Sequence, residues 1–269
     1  MTFSIVAAGV HRGSPAYGVA VASKFLAVGA LVPAAAPGVG ALATQSLANQ
    51  AWRAQGLALL RSGVSAAELV RRLVAGDQHR EDRQLGVVDA HGGSASHTGA
   101  GCEPWAGHAT APGVAVQGNC LAGPAVVAAA LAAATGEDPL ERRLLAGLAA
   151  GGAAGGDKRG RQSAALLIGS DAGGYDGADI AVDLRVDDHP DPVPELARLL
   201  GLHELYAGPP EGVQPLAGPL GAEVDGLVAR SGAGSLRRWV ELENFEMRWS
   251  EDGIDERVLA ALRTAGATT

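Results

Sequence analysis

The spacing of hydrophobic and polar positions changes several times along the chain, and each change marks an element. Residues 3–10 and 17–24 are apolar almost throughout and predict two buried strands joined by a turn at Arg12-Gly13-Ser14-Pro15. Shorter apolar runs at 27–32 and 39–44, separated by Pro33 and Pro37-Gly38, predict two more connected strands. From 47 to 60 the period becomes helical, with Leu47, Trp52, Leu57, Leu59 and Leu60 on the apolar side and Ser62-Gly63 as the stop. A second helix starts at Ser65. Its hydroxyl and the Glu68 carboxylate can satisfy each other's free backbone N–H groups as a capping box, and Gly76 suits the C-cap.

Strand patterns return at 84–89, 94–98 and 114–118, followed by a helix pair at 124–134 and 139–149. A glycine-rich loop at 151–156 leads to strands at 163–170 and 180–186 and a helix at 193–202. Helices therefore come in pairs between groups of strands close enough to form hairpins. That order argues against a doubly wound parallel sheet and predicts an α+β fold, a four-layer αββα sandwich, over residues 1–206. A Pro/Gly-rich linker is expected at 207–222, and a small helical module at 223–269 with helical patterns at 236–245 and 254–262.

Composition narrows the function classes. With 47% hydrophobic residues but only 4% aromatic and 39 glycines, a sizeable core must be built from Ala, Val and Leu. A net charge of −8 argues against binding nucleic acid, which requires a basic field. Two cysteines, Cys102 and Cys120, make no disulfide framework and fit a reducing compartment. The chain opens on the strand-like Thr2-Phe3-Ser4-Ile5-Val6 without signal-peptide features, and the Ala-rich run at 123–135 is too short to span a membrane. A cytoplasmic protein is expected, without membrane or nucleic-acid partners. Among 21 basic residues only Lys24 and Lys158 are lysines, so each is a candidate for work that a guanidinium cannot do.

The first candidate for chemistry is Thr2. Methionine aminopeptidase removes Met1 before a small residue, leaving a threonine with a hydroxyl and a free amine. That amine, with a pKa of about 7.7–8.0, can serve as base for its own hydroxyl. The seven histidines show no metal-ligand spacing, and no H-E-x-x-H or C-x-x-C occurs, so no metal or other cofactor is expected. His189, in Asp187-Asp188-His189-Pro190, reads as a turn former. Cys102, flanked in sequence by His97 and His108, offers an alternative nucleophile. The glycine-rich segment at 151–160 lacks the Lys-Ser ending of a phosphate loop.

The runs TFSIVA, GVAVASKFLAVGALVP, GVGALATQSLAN, RQLGVVDAHG, HTGAGCEPWAGH, AVQGNCLAGP, GGDKRGRQSAALL and VDLRVDDHPDP resemble, in order over residues 2–205, the bacterial family of domain of unknown function 1028. That family is grouped with the N-terminal-nucleophile (Ntn) hydrolases. The resemblance implies an amide-cleaving enzyme acting through Thr2 on a small-molecule substrate, in a homodimer or higher homo-oligomer. A non-catalytic binding protein on the same fold is the alternative.

The layout is also similar, more distantly, to proteasome-type β subunits. Carried over from those, Asp157 orients the terminal amine, Asn119 stands where a serine assists it, and backbone N–H groups near Thr44-Gln45 form the oxyanion hole. Neither Thr44 nor Gln45 is the glycine usual at that place. The second strand ends at Ser23-Lys24 without the usual acid, leaving Lys24 as the candidate for an electrostatic role and Ser23, with Thr44 and Gln45, as a candidate on the oxyanion and substrate side. The tail around Trp239-Val240-Glu241-Leu242-Glu243-Asn244-Phe245 resembles a three-helix module named for peptidoglycan binding, for which a packing or dimer role is equally expected.

Overall fold

The computed structural model describes residues 2–174 and 177–267. The chain divides into two compact units, Met1–Leu199 and Leu200–Thr269. It is a mixed α+β protein whose strands pair antiparallel throughout.

The first unit holds two sheets. β1 (Thr2–His11) and β2 (Ser14–Ser23) form a hairpin at the centre of a six-stranded sheet. On one side of it lie β9 (Ser163–Ser170) and β10 (Ile180–Val186), on the other β8 (Val114–Asn119) and β7 (Gly107–Ala111). The second sheet runs β3 (Pro33–Ala36), β4 (Gly40–Ser46), β5 (Arg83–Asp89) and β6 (Ser94–Thr98). Side chains alternate faces along a strand, so each sheet has two apolar sides to cover. Val6, Val19 and Val21 of the larger sheet pack on Ala41, Ala43 and Val88 of the smaller one. The opposite face of the smaller sheet, including Leu42 and Leu85, packs on α1 (Ala51–Arg61) and α2 (Ala66–Ala75). On the outer face of the larger sheet lie α3 (Ala125–Ala134) and α4 (Leu140–Ala153). A Cβ at Gly147 or Gly151 of α4 would fall 2.4 Å from Ile5 Cδ1 and 2.8 Å from Phe3 Cε2, so these glycines let the helix lie close on β1.

Several expected elements differ. The run at 27–32 is not a strand but a 3-10 turn (Val28–Ala30), entered through Ala27 at a left-handed φ of 52°. The strand is instead Pro33–Ala36, the next segment along. Proline is tolerated at the start of an edge strand, so Pro33 opens this element rather than interrupting one. β7, an edge strand of sequence GHATA, has no large apolar residue and gave no hydrophobic alternation to detect. Half of the expected capping box at α2 forms: Ser65 Oγ accepts from Glu68 N–H, but the Glu68 carboxylate turns to Arg71 and Arg72, whose guanidinium groups outcompete the Ser65 N–H for it. α4 extends into the glycine-rich segment, ending at Ala153.

The second unit begins inside α5 (Pro192–Ala207), and the expected linker at 207–222 is structured. Gln214 and Ile254 exchange two backbone hydrogen bonds of 2.9 Å, and α6 (Gly218–Ser231) starts within it. Gly218-Pro219, within the expected linker, is a helix start, where the missing proline N–H has no cost. α6, α7 (Leu236–Leu242) and α8 (Glu256–Ala267) surround Trp239, Phe245, Ile254 and Leu259. Among the described residues no helix is long and apolar enough to cross a membrane.

Candidate active site

The faces that the two sheets turn toward each other change character along their length. Inward positions of β1 run Val6, Ser4, Thr2; those of β2, Val19, Val21, Ser23; those of β4, Ala41, Ala43, Gln45. On β5 they run Val88, Gly86, Gln84, and on β8, Ala115, Gln117, Asn119. One end of the interlayer space is therefore aliphatic and the other is filled with polar side chains, all buried. Such a cluster is tolerable only if its members satisfy one another.

They do so almost completely. Ser4 Oγ donates to Gln45 Oε1 at 2.6 Å, linking the sheets, and Gln117 Nε2 donates to Ser4 Oγ at 2.6 Å. Gln45 Nε2 donates to the Thr2 carbonyl at 3.1 Å and to Gln84 Oε1 at 2.7 Å. Gln84 Oε1 also accepts from Asn119 Nδ2 at 3.0 Å, while Gln84 Nε2 donates to the Gly118 carbonyl at 2.8 Å and Thr98 Oγ1 at 2.9 Å. Asn119 Oδ1 is buried without a partner.

Thr2 sits at the centre of this end. It lies opposite Ser23 on β2 and opposite Asn119 on β8, and its Oγ1 is 3.0 Å from Ser23 Oγ. Thr2 is 4% exposed, and what surface it keeps faces a cavity of about 470 Å³. Gln45 shares the buried part of that cavity; Phe25, Leu31 and Leu47 form exposed apolar walls, and Asp82, Glu103 and Arg159 also line it.

The remaining predicted residues are placed differently. Asp157, expected to orient the terminal amine, is buried with its oxygens engaged elsewhere: Oδ2 accepts from Lys24 N–H and Arg159 Nη2, and Oδ1 from Arg159 N–H and Nε. The hydrogen bond to Asp157, and then the charge pairing, hold the Arg159 guanidinium above its usual pKa despite burial. Asp157 lines a smaller cavity of about 100 Å³ with Ser23 and Phe3. Lys24 reaches this cluster through its backbone, and its side chain is exposed. Thr44 N–H donates to the Val32 carbonyl at 3.2 Å, and the Thr44 hydroxyl is buried and unpartnered on the helix-facing side of β4, where Leu42 also points. The structure thus brings Thr2, Ser23, Gln45 and Asn119 together, with Asp157 behind Ser23, and turns Lys24 and Thr44 elsewhere.

The Cys102 thiol is buried and donates to the Arg83 carbonyl at 3.4 Å, while His97 and His108 bond the Arg80 carbonyl and Thr98 Oγ1. His189 Nδ1 accepts from Asp191 N–H at 3.0 Å, as a turn former does. Sequence reading missed Ser4, Gln84, Gln117 and Arg159. For the first three a signal existed: each continues, at a period of two, an inward-facing row of small aliphatic residues.

A family model described as a family of unknown function, DUF1028, matches residues 2–196. A crystal structure of a protein from Silicibacter pomeroyi, described with the same family, superposes with a TM-score of 0.68 at 30% identity, covering 82% of this chain and 88% of that one. No curated protein matches the chain. With the family model spanning well over half of its length, the chain belongs to the DUF1028 family.

Proposed function

We propose that this protein is an Ntn hydrolase with an αββα sandwich, cleaving an amide-type C–N bond through Thr2 after Met1 is removed. Met1 lies outside the described residues. One observation carries the reading: a buried threonine, second in the chain, meets a cavity with its hydroxyl 3.0 Å from a second hydroxyl and its carbonyl held by Gln45. A residue held on both strands and through its carbonyl is a rigid base for chemistry.

In the proposed reaction Thr2 Oγ1 attacks the amide carbon while the α-amine of Thr2 takes the hydroxyl proton. The tetrahedral oxyanion collapses as that proton passes to the leaving nitrogen, giving free amine and a threonyl ester. Water, deprotonated by the same amine, then hydrolyses the ester. Ser23 Oγ hydrogen-bonds Thr2 Oγ1 and aims it. Asn119 Oδ1, unpartnered beside Thr2, is the acceptor available to orient the released amine. Asp157 acts one step back by holding Arg159 at the cavity wall. For the oxyanion, Thr44 N–H and Leu47 N–H are already bonded, to Val32 and Asp82. Strand alternation directs Ser46 N–H to the same side as that of Thr44, beyond the end of β3, which makes it the best-placed donor on the cavity wall. Losing one such donor costs about 10²–10³ in rate.

The test combines intact-mass measurement with a β-lactone or epoxyketone probe directed at N-terminal threonines. The expected result is a chain beginning at Thr2, modified there, with no modification in Thr2→Ala. A chain that keeps Met1, or a probe that ignores Thr2, would overturn the proposal. Hydrolysis surviving Thr2→Ala but lost on alkylation of Cys102 would transfer the reaction to that thiol.

A further inference from the structure

Three of the nine large apolar side chains exposed among the described residues, Phe25, Leu31 and Leu47, line the cavity at Thr2, at 49%, 38% and 65% exposure. Scattered singly, such residues need no explanation; converging on one concavity, they mark a surface for an apolar ligand. The charges on the same walls are unequal in their commitments. Arg159 is ion-paired with Asp157 at 2.7 Å, and Glu103 with Lys158 at 3.2 Å. Asp82 makes no ion pair among the described residues. Its carboxylate lies against Gly101, another lining residue, with Oδ1 2.6 Å from where a Cβ on that glycine would stand. A half-buried carboxylate at the edge of an apolar wall favours a cation and disfavours an anion, because the wall thins the water that would otherwise screen it.

We propose that the cavity selects amides in which an apolar body carries a cationic amine, the body lying on Phe25, Leu31 and Leu47 and the amine seated against Asp82. The inference rests on the reading of Thr2 as nucleophile for what happens to the bound amide, but not for binding itself. The ammonium donates charge-assisted hydrogen bonds to the Asp82 carboxylate, and a neutral ligand of the same shape leaves that carboxylate to water. Gly101 keeps the approach to Asp82 open, since any side chain there would collide with Oδ1.

Binding can be read without turnover. Phenethylamine, phenethyl alcohol and hydrocinnamate, titrated into the full-length protein by calorimetry near neutral pH, present one apolar body with a cationic, neutral or anionic end. Phenethylamine should bind about tenfold tighter than the alcohol, the scale of one charge-assisted hydrogen bond, and hydrocinnamate should bind weakest. Asp82→Asn should abolish the tenfold preference and leave the alcohol unchanged. Leu47→Ser, at an exposed position that does not support the core, should weaken amine and alcohol alike. Equal affinities, tighter binding of hydrocinnamate, undetectable binding of the amine, or a preference that survives Asp82→Asn would each overturn the inference. The same series on Thr2→Ala separates the two readings. A preference for the amine in a protein whose Thr2 ignores the probe would sink the nucleophile alone, and a reactive Thr2 in a cavity that prefers hydrocinnamate would sink the present inference alone.

Discussion

Asn119 stands opposite Thr2 in the β1–β8 pairing, its Nδ2 bonded to Gln84 Oε1 at 3.0 Å and its Oδ1 buried with no donor. An unsatisfied buried acceptor costs about 1–3 kcal/mol. Directly opposed side chains in a sheet are within reach of each other, and a terminal amine offers donors that a peptide nitrogen lacks. The form that begins at Thr2 is therefore expected to be more stable than the form that retains Met1, by about 1 kcal/mol. Urea unfolding of the two forms checks this. The difference should vanish in Asn119→Leu, and equal stabilities in the wild type would count against the pairing.

Under the proposed mechanism the same neighbour is expected to set the pH response of Thr2. Modification by a threonine-directed probe requires the neutral amine, so its rate should rise with pH and level off above the amine's pKa, about 7.7–8.0 in an unperturbed terminus. Asn119→Asp places a carboxylate beside the ammonium. That favours the charged form, raises the pKa and moves the midpoint of the profile to higher pH. A midpoint that stays or falls would place the amine away from residue 119.

Much of this arrangement was readable from the chain. β9 and β10 span the residues expected from their apolar runs, and Ser65 caps α2 as its position predicts. The sequence points to Thr2, Ser23, Gln45 and Asn119, and these four lie together in the fold. The network around them was not readable, because a glutamine ending an apolar row looks like an exposed strand end until a second sheet covers it. Whether Gln84 and Gln117 face water or each other depends on how the sheets stack, and that is a tertiary property. The Lys24 side chain turns away from the cluster because side chains alternate along a strand and its neighbour Ser23 takes the inward position, while the Thr44 N–H is taken by the Val32 carbonyl, a contact that depends on where β3 begins.

Gly86 is the point where that network meets the backbone. A Cβ there would lie 1.9 Å from Gln117 Oε1, and Gln117 cannot withdraw because its Nε2 is bonded to Ser4. Gly86→Ala should destabilise by about 1–3 kcal/mol, as overpacking in a tight core does. Shortening the obstruction, as Gln117→Ser, should make the alanine less costly, giving a coupling of at least about 0.5 kcal/mol in a double-mutant cycle. Additive losses would show that the strand moves instead.

A second buried polar pair lies at the other end of β1, where His11 Nδ1 meets Glu141 Oε2 at 3.0 Å. Burial alone would raise the Glu141 pKa, but the hydrogen bond from His11, with the charges of His11 and Arg12, holds it below the usual range. A carboxylate depressed in the folded state contributes stability above its unfolded pKa of about 4.3 and loses it as pH falls through the folded value. Glu141→Gln should therefore destabilise at pH near 7 and narrow its deficit in acid, below about pH 4. Unfolding in urea across that range measures it, and a deficit independent of pH would assign the pair a packing role only.

Arg248 holds the second unit together by a different principle. It is 1% exposed, yet each nitrogen of its guanidinium is bonded, donating to Asp255 Oδ2 at 3.0 Å and to the carbonyls of Glu204, Leu205 and Pro209. Asp255 in turn caps α8, accepting from Val258 N–H at 2.9 Å and Arg257 N–H at 2.8 Å, and from Glu211 N–H at 2.6 Å. Arg248→Met keeps most of the volume but leaves Asp255 as a buried charge without its partner, a loss of about 3–5 kcal/mol. Because both residues and all their partners lie in Leu200–Thr269, the damage should stay in that unit. Hydrogen exchange should accelerate in α6, α7 and α8 while β1 and β8 keep their protection. If the strands around Thr2 lose protection together with the helices, the two units unfold as one and the assignment of Arg248 to a local role fails.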